Sequence, residues 1–512
     1  MTVSQDSVVA FLSEPATYGA GVSDVERIDT HISIVFLAGA RVFKLKRAVV
    51  LPFLDYGTAE KRRFYCEREL ALNRRTAPGL YLGVRAINRD TAGCLSIDGP
   101  GEAIDWVVEM VRFDADGLFG NQADAGRLTL DRVRQAADEI AALHKLAEIP
   151  EDDGEDAGMQ ATINQLSEGL ARHGAVFGAD AVTHCLDRLA AEALTQQQLL
   201  SRRAGAGWVR ICHGDLHLNN ICMFDGRPTL FDAAEANARF MQIDVLYDLA
   251  FLLMDLEVRD LRAHANAVLN RYAAWCEEPR ATLAGLRAMP LFLSVRAAIR
   301  ADISVLTAEH ASSAAADHIA AARRYFDLAC NVLAPAPAVL VAVGGASGSG
   351  KTSVARAIAP EIGPVPGAVI IRSDEVRKSI FGVRDTQRLP ASAYTGQWHR
   401  RTCAEVIARA QAALAAGHAC VVDAVHGAPN ERGQIEAVAV RAGVSFHGIW
   451  LTAPEDVLRA RTRLRVGDAS DAGPAVVTDQ LRRGFGDVAW LSVDATGGID
   501  DVAGRVRKHL EN

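Results

Sequence analysis

The sequence predicts an α+β region that changes character near residue 115, followed after an Ala/Pro break by an α/β domain with a mainly parallel sheet. Short β-prone runs surround one charged helical pattern up to residue 115, and alanine-rich helical sequence then continues to about 332, interrupted by a polar loop and hairpin at 211–232. From 339 onward, apolar strand-like runs at 339–343, 368–371, 419–422 and 446–451 are separated by helical stretches. The segments are therefore 1–115, 116–332, a linker at 333–338 containing Ala334-Pro335-Ala336-Pro337, and 339–512.

A chain of 512 residues accommodates two or three domains, and its 49% hydrophobic and 23% charged residues are those of an ordinary soluble globular protein. The net charge of -8 gives no global electrostatic case for a nucleic-acid partner. No stretch approaches the ~20 apolar residues of a membrane span, and residues 1–15 lack the basic and apolar segments of a secretory signal. The nine cysteines are scattered and odd in number, which suits reduced thiols; a cytoplasmic protein without a membrane partner is the expectation. Nothing in the sequence reports oligomeric state.

In chain order, 31–37 and 41–45 form an expected hairpin about Ala38-Gly39-Ala40, with Lys44 and Lys46 on one face of its second strand. Residues 58–77 carry a helical pattern that contains Glu67 and Glu69 and stops before Pro78-Gly79. Residues 106–113 read as a further strand.

The loop at 211–221, Ile-Cys-His-Gly-Asp-Leu-His-Leu-Asn-Asn-Ile, places Asp215 and Asn220 outside any regular element. Apolar runs at 221–224 and 229–231 then flank Asp225-Gly226, a tight-turn dipeptide, so the hairpin returns Asp232 beside Asn220. An acid, an amide and a second acid at one point suit phosphoryl transfer: one carboxylate takes the acceptor's proton while the amide and the other carboxylate hold Mg2+ on the phosphates of ATP. A zinc site from Cys212, His213, His217 and Cys222 is the competing pattern, but no second Cys-x-x-Cys accompanies it.

This loop and hairpin resemble the catalytic segment of the aminoglycoside phosphotransferase and choline kinase group, a branch of the protein-kinase-like fold. The resemblance implies an α+β bilobal protein-kinase-like domain with Asp215 as catalytic base and Asn220 and Asp232 as metal ligands. It also implies a strand lysine on the nucleotide phosphates, here Lys44 with Lys46 as rival, paired to a helix glutamate, here Glu69 with Glu67 second. Asp244 and Asp248 resemble acids that brace the family's active site. A Gly-x-Gly-x-x-Gly loop is missing from the N-terminal region, and Ala233-Ala234 stands where protein kinases have Phe-Gly. The short spacing from Asp232 to Asp244 leaves no room for a platform that binds a protein substrate, so a small-molecule acceptor is expected.

Beyond the linker, Gly345-Ala346-Ser347-Gly348-Ser349-Gly350-Lys351-Thr352-Ser353 follows an apolar strand and opens a helix, satisfying Gly-x4-Gly-Lys-Thr in the required context. Backbone N–H groups there curl around phosphate, Lys351 reaches the β and γ oxygens, and the Thr352 hydroxyl ligates Mg2+. Asp374 and Arg377 follow the second strand, and Asp423 ends the third as a Walker B-like acid. Arg461 and Arg465 are four apart on one helical face, which resembles the lid of small P-loop kinases and so implies arginines that neutralise charge on a transferring phosphoryl group, and 468–472 follows as a mobile lid loop. The pattern resembles polynucleotide 5′-kinase and zeta-toxin type P-loop kinases, which implies that Asp374 activates an acceptor hydroxyl and Arg377 holds the acceptor.

The combined expectation is an ATP- and Mg2+-dependent phosphotransferase with two nucleotide sites and small-molecule hydroxyl acceptors. A nucleotide-operated regulator with one inactive kinase-like domain is the alternative from another class. A nucleic-acid 5′-end kinase is a second, although no aromatic stacking platform interleaves the arginines at 459–465.

Overall fold

A computed structural model describes residues 5–51, 54–151, 157–310, 314–464 and 467–511. The chain divides into two compact units, Met1–Glu155 with Ala204–Leu252, and Asp156–Arg203 with Leu253–Asn512.

The first unit contains a six-stranded antiparallel sheet with strands in the order Val25–Asp29, Ser33–Ala38, Arg41–Lys46, Glu102–Val111, Tyr81–Arg89 and Leu95–Ile97. Gly39, at φ 56°, turns the expected hairpin. The helix Ala59–Asn73 begins where Thr58 accepts a hydrogen bond from the Lys61 N–H at 3.3 Å. Its buried Cys66 packs with Val42, Tyr81, Val108 and Met110, fixing the helix against the sheet. An antiparallel sheet with a helix packed on it, and a strand lysine, Lys44, paired to a glutamate of that helix, Glu69, has the arrangement of the N-terminal lobe of a protein-kinase-like fold.

In the second unit, five parallel strands are ordered Val369–Arg372, Cys420–Asp423, Val339–Gly345, Ser445–Thr452 and Leu491–Asp494. The central strand is covered on both faces, which is why it reads as an unbroken apolar run. Val341 and Val343 pack with Val354, Ile358, Val421, Ile449 and Val506. Each such buried valine contributes about 1.5–3 kcal/mol relative to exposure.

The segment 333–338 is irregular chain, yet it does not separate the compact units. The helix Arg262–Trp275 explains this, because it covers the open edge of the parallel sheet. Asn266 and Asn270 donate to the Ala368 carbonyl at 3.1 and 3.2 Å, and the Ile370 N–H donates to Asn270 Oδ1 at 2.6 Å. Asn270 thus supplies the donor and acceptor that a sixth strand would. Arg271 adds an ion pair to Asp385 at 2.5 Å. Asn270→Ala is expected to cost about 1–3 kcal/mol through the unpaired strand N–H, read as a lower denaturation midpoint at unchanged slope.

Among the described residues, no helix is long and apolar enough to cross a membrane.

Candidate functional sites

In the first unit the strands Ile221–Phe224 and Arg227–Leu230 pair in register about a two-residue turn. Asp225 and Gly226 both take positive φ, 48° and 76°, which gives a two-residue hairpin the twist its strands require. The Phe231 N–H donates to the Asn220 carbonyl at 3.0 Å, so the next residue, Asp232, arrives beside Asn220. The Asn220 amide donates to the Asp215 carboxylate and to the Asp215 carbonyl, each at 2.9 Å, and to the Asp232 carbonyl at 3.5 Å. With its N–H2 group spent in this way, Asn220 keeps its amide oxygen as the donor atom for a cation.

The loop before the hairpin is held from beneath by Asp248, in the first turn of the helix Val245–Val258. Its fully buried carboxylate accepts from the Gly214 N–H at 2.8 Å and the His213 N–H at 3.1 Å, and meets His144 Nε2 at 3.0 Å. Asp248 is therefore a positioning residue that fixes the backbone leading into Asp215. Gly214, at φ 84°, is required here, since a Cβ would lie 2.5 Å from the Phe240 carbonyl oxygen.

Lys44 Nζ lies 3.0 Å from Glu69 Oε1 and 2.5 Å from Asp232 Oδ1. Lys46 Nζ takes the other oxygen of Glu69 at 2.6 Å and also pairs with Glu235. The two lysines share a strand face, and Glu69 serves both. Glu67 instead pairs with Arg63 on the exposed side of the helix. Burial works against the charge on Lys44, but the carboxylates of Asp232, Glu69 and Glu235 outweigh it and raise its pKa. Burial likewise pushes the Glu235 carboxyl up, and the ammonium groups of Lys46 and Lys44 reverse this, holding it at about 2. Glu235 carried no sequence signal, because its position depends on the turn after Asp232.

In the second unit the glycine-rich loop connects the strand Val339–Gly345 to the helix Lys351–Ile358. Gly348 has φ 85°, and a Cβ there would lie 2.5 Å from the Leu458 carbonyl oxygen. The Lys351 ammonium folds over the loop and donates to the carbonyls of Gly345 and Ala346 at 3.0 Å each. The Ser347 N–H donates to the Gln480 side chain at 2.8 Å, while the Ser349 hydroxyl is buried without a partner. The Thr352 hydroxyl donates to Asp423 Oδ2 at 2.6 Å. This hydroxyl–carboxylate pair and a loop that only glycine can form at Gly348 suit a triphosphate with Mg2+.

The loop opens into a cleft of about 1040 Å³ lined by Lys351, Thr352, Ser353, Asp374, Arg377 and Asp423 among others. Burial pushes the Asp374 carboxyl up, against the pull of Arg372. Arg377 donates to the Ala393 carbonyl at 3.0 Å, and its guanidinium carbon lies 5.1 Å from the centre of the Tyr394 ring. Sequence reasoning missed Arg372, the buried hub of this site. It bonds Glu375 at 2.7 Å, Asp468 at 3.0 Å and Asp423 at 3.3 Å. Its one available signal was a cation at the C-terminal end of a parallel strand.

Two expectations change. Arg461 does not line the cleft: its guanidinium donates to the carbonyls of Ala495 at 2.8 Å and Thr496 at 3.4 Å, at the end of the last strand. Helical spacing gave the face it shares with Arg465 but not the direction of that face, and Arg465 lies outside the described residues. The lid loop is tied down, because Asp468 pairs with Arg372 while Asp471 accepts from Lys378, the Leu389 N–H and the Tyr394 hydroxyl.

Fold and site together define a protein-kinase-like α+β domain followed by an α/β domain built on a P-loop. Residues 340–485 match the family model described as an AAA domain. An uncharacterized protein of Mycobacterium tuberculosis is 28% identical over 454 residues, which cover 87% of each chain. Similar solved structures include a Plasmodium vivax ethanolamine kinase, 12% identical with a TM-score of 0.39, covering 62% of this chain and 84% of that one. The Mycobacterium tuberculosis APS kinase CysC, in complex with AMPPNP and APS, is 19% identical with a TM-score of 0.26, covering 35% of this chain and 99% of that one.

Proposed function

We propose that the chain is an ATP-dependent phosphotransferase with two sites, each moving the γ-phosphoryl group to a hydroxyl of a small molecule. The observation that carries this reading is the joint presence of the Asp215, Asn220, Asp232 and Lys44 cluster and the Lys351, Thr352 and Asp423 cluster, each suited to a metal–triphosphate. Asn220 and Asp232 in the first site, and Thr352 and Asp423 in the second, would hold Mg2+, which when bound would supply positive charge against the charge that develops during transfer.

In the first site Asp215 orients the acceptor hydroxyl and takes its proton, Asn220 and Asp232 offer oxygens to the metal, and Lys44 offers its ammonium to the phosphates. In the second, Lys351 and the loop N–H groups hold the phosphates while Thr352 and Asp423 face the metal. Asp374 takes the acceptor proton and Arg377 holds the acceptor. The AAA-domain match over 340–485 supports nucleotide use at the second site. One observation favours a regulatory, non-transferring first site: Lys44 and Asp232 already pair at 2.5 Å, so a nucleotide must part them.

The test is transfer of label from γ-labelled ATP by the full chain to a panel of sugars, aminosugars, nucleosides and oligonucleotides. Label in small-molecule acceptors is the expected result; label in oligonucleotides alone, or in no acceptor, contradicts the reading. The second site also carries a pH signature. Its base works only when deprotonated and burial raises its pKa, so the acid limb of kcat/KM is expected at higher pH than an ordinary aspartate would give.

A further inference from the structure

His399 and Cys403 stand one turn apart on the helix Gly396–Ala415, which brings both to one face. Glu431, in the first turn of the helix Pro429–Ala442, meets them there. All three line the same cleft as Lys351 and Asp374. Their ligand atoms lie within 4.8 Å of one another. We propose that His399, Cys403 and Glu431 form a site for one transition-metal ion of the Zn2+ class, with its fourth coordination position open to the cleft.

The geometry and donor set support this. A nitrogen and a sulfur bound tetrahedrally at Zn2+ distances are separated by about 3.6 Å, and His399 Nε2 lies 3.7 Å from Cys403 Sγ. Glu431 Oε1 is 2.6 Å from His399 Nε2, a hydrogen-bond distance that opens to about 3.3 Å around a shared ion. Glu431 Oε2 accepts from the Ala428 N–H at 3.3 Å, which anchors the carboxylate while Oε1 faces the other two ligands. Nitrogen, thiolate and carboxylate together select a borderline-soft ion over Mg2+, so this ion does not compete for the all-oxygen nucleotide site. Three protein ligands with an exposed fourth position is the arrangement of a zinc site that engages a ligand. The donor filling it would be a water or an atom of whatever occupies the acceptor side of the cleft.

A second trio, His144, Cys212 and Asp248, serves as an internal control. Both oxygens of Asp248 are committed to the loop before Asp215, and all three residues are buried.

The experiment is a titration of metal-stripped full-length protein with Co2+ in the absence of nucleotide, followed by absorption spectroscopy. One equivalent is expected to produce a thiolate-to-cobalt band in the near ultraviolet with tetrahedral visible bands, and Zn2+ is expected to bleach both. Cys403→Ser should abolish the ultraviolet band while keeping the wild-type circular dichroism, and Cys212→Ser should retain it. His399→Ala should abolish stoichiometric binding. A wild-type protein without the thiolate band, or a band that survives in Cys403→Ser, overturns the proposal and leaves the trio as an ion pair beside a thiol. The readout is independent of phosphoryl transfer, so a failed kinase assay does not decide it.

Discussion

Lys351→Ala is expected to lower kcat for transfer at the C-terminal site by about 10²–10³-fold, the cost of removing one preorganised charge donor from a transferring group. The lysine ammonium already lies over the loop, 3.0 Å from the carbonyls of Gly345 and Ala346, and only a short swing separates it from phosphate oxygens cradled by the same loop. The substitution falls on the first residue of the helix Lys351–Ile358, and alanine is the strongest helix former, so the fold is retained. The loss is therefore one of turnover and nucleotide affinity, not of folded protein. Single-turnover assays with unchanged circular dichroism measure it, and transfer above the residual level expected of the weakened C-terminal site belongs to the N-terminal site.

Asp215→Asn is expected to lower kcat at the N-terminal site by about 10²–10⁴-fold while nucleotide affinity stays within a few-fold of wild type. An asparagine oxygen can still accept from the Asn220 amide, as the Asp215 carboxylate does at 2.9 Å, so the loop keeps its geometry. What the amide lacks is the capacity to take a proton. The separation of kcat from nucleotide affinity marks Asp215 as a base and distinguishes it from a phosphate-binding residue. Turnover equal to wild type would remove the residue from that role.

The parts legible in the sequence were those fixed by local chemistry. Asp225-Gly226 specified its own turn, and the turn specified where Asp232 falls. The glycine-rich loop announced itself because it stands between an apolar strand and a helix. Periodicity alone could not choose between Lys44 and Lys46, since residues two apart on a strand share a face; the structure uses both through the two oxygens of Glu69. Arg461 shows the same limit on a helix, where spacing gave a shared face without saying what it meets. Long-range placements left no local trace. Asn270 covers a sheet edge 100 residues further along the chain, and Arg372 gathers Asp423 from the end of the neighbouring strand and Asp468 from a distant loop. For that reason the Ala/Pro break resembles a domain boundary in sequence while the helical segment before it completes the sheet after it.

Two metal–triphosphate sites in one polypeptide are the central claim, and the most direct test is binding stoichiometry. Calorimetric titration of the full chain with a non-hydrolysable ATP analogue and Mg2+ should give two equivalents per chain, falling to one in Lys351→Ala and to one in Asp232→Ala. A wild-type stoichiometry of one or less, with folded protein, would contradict the account.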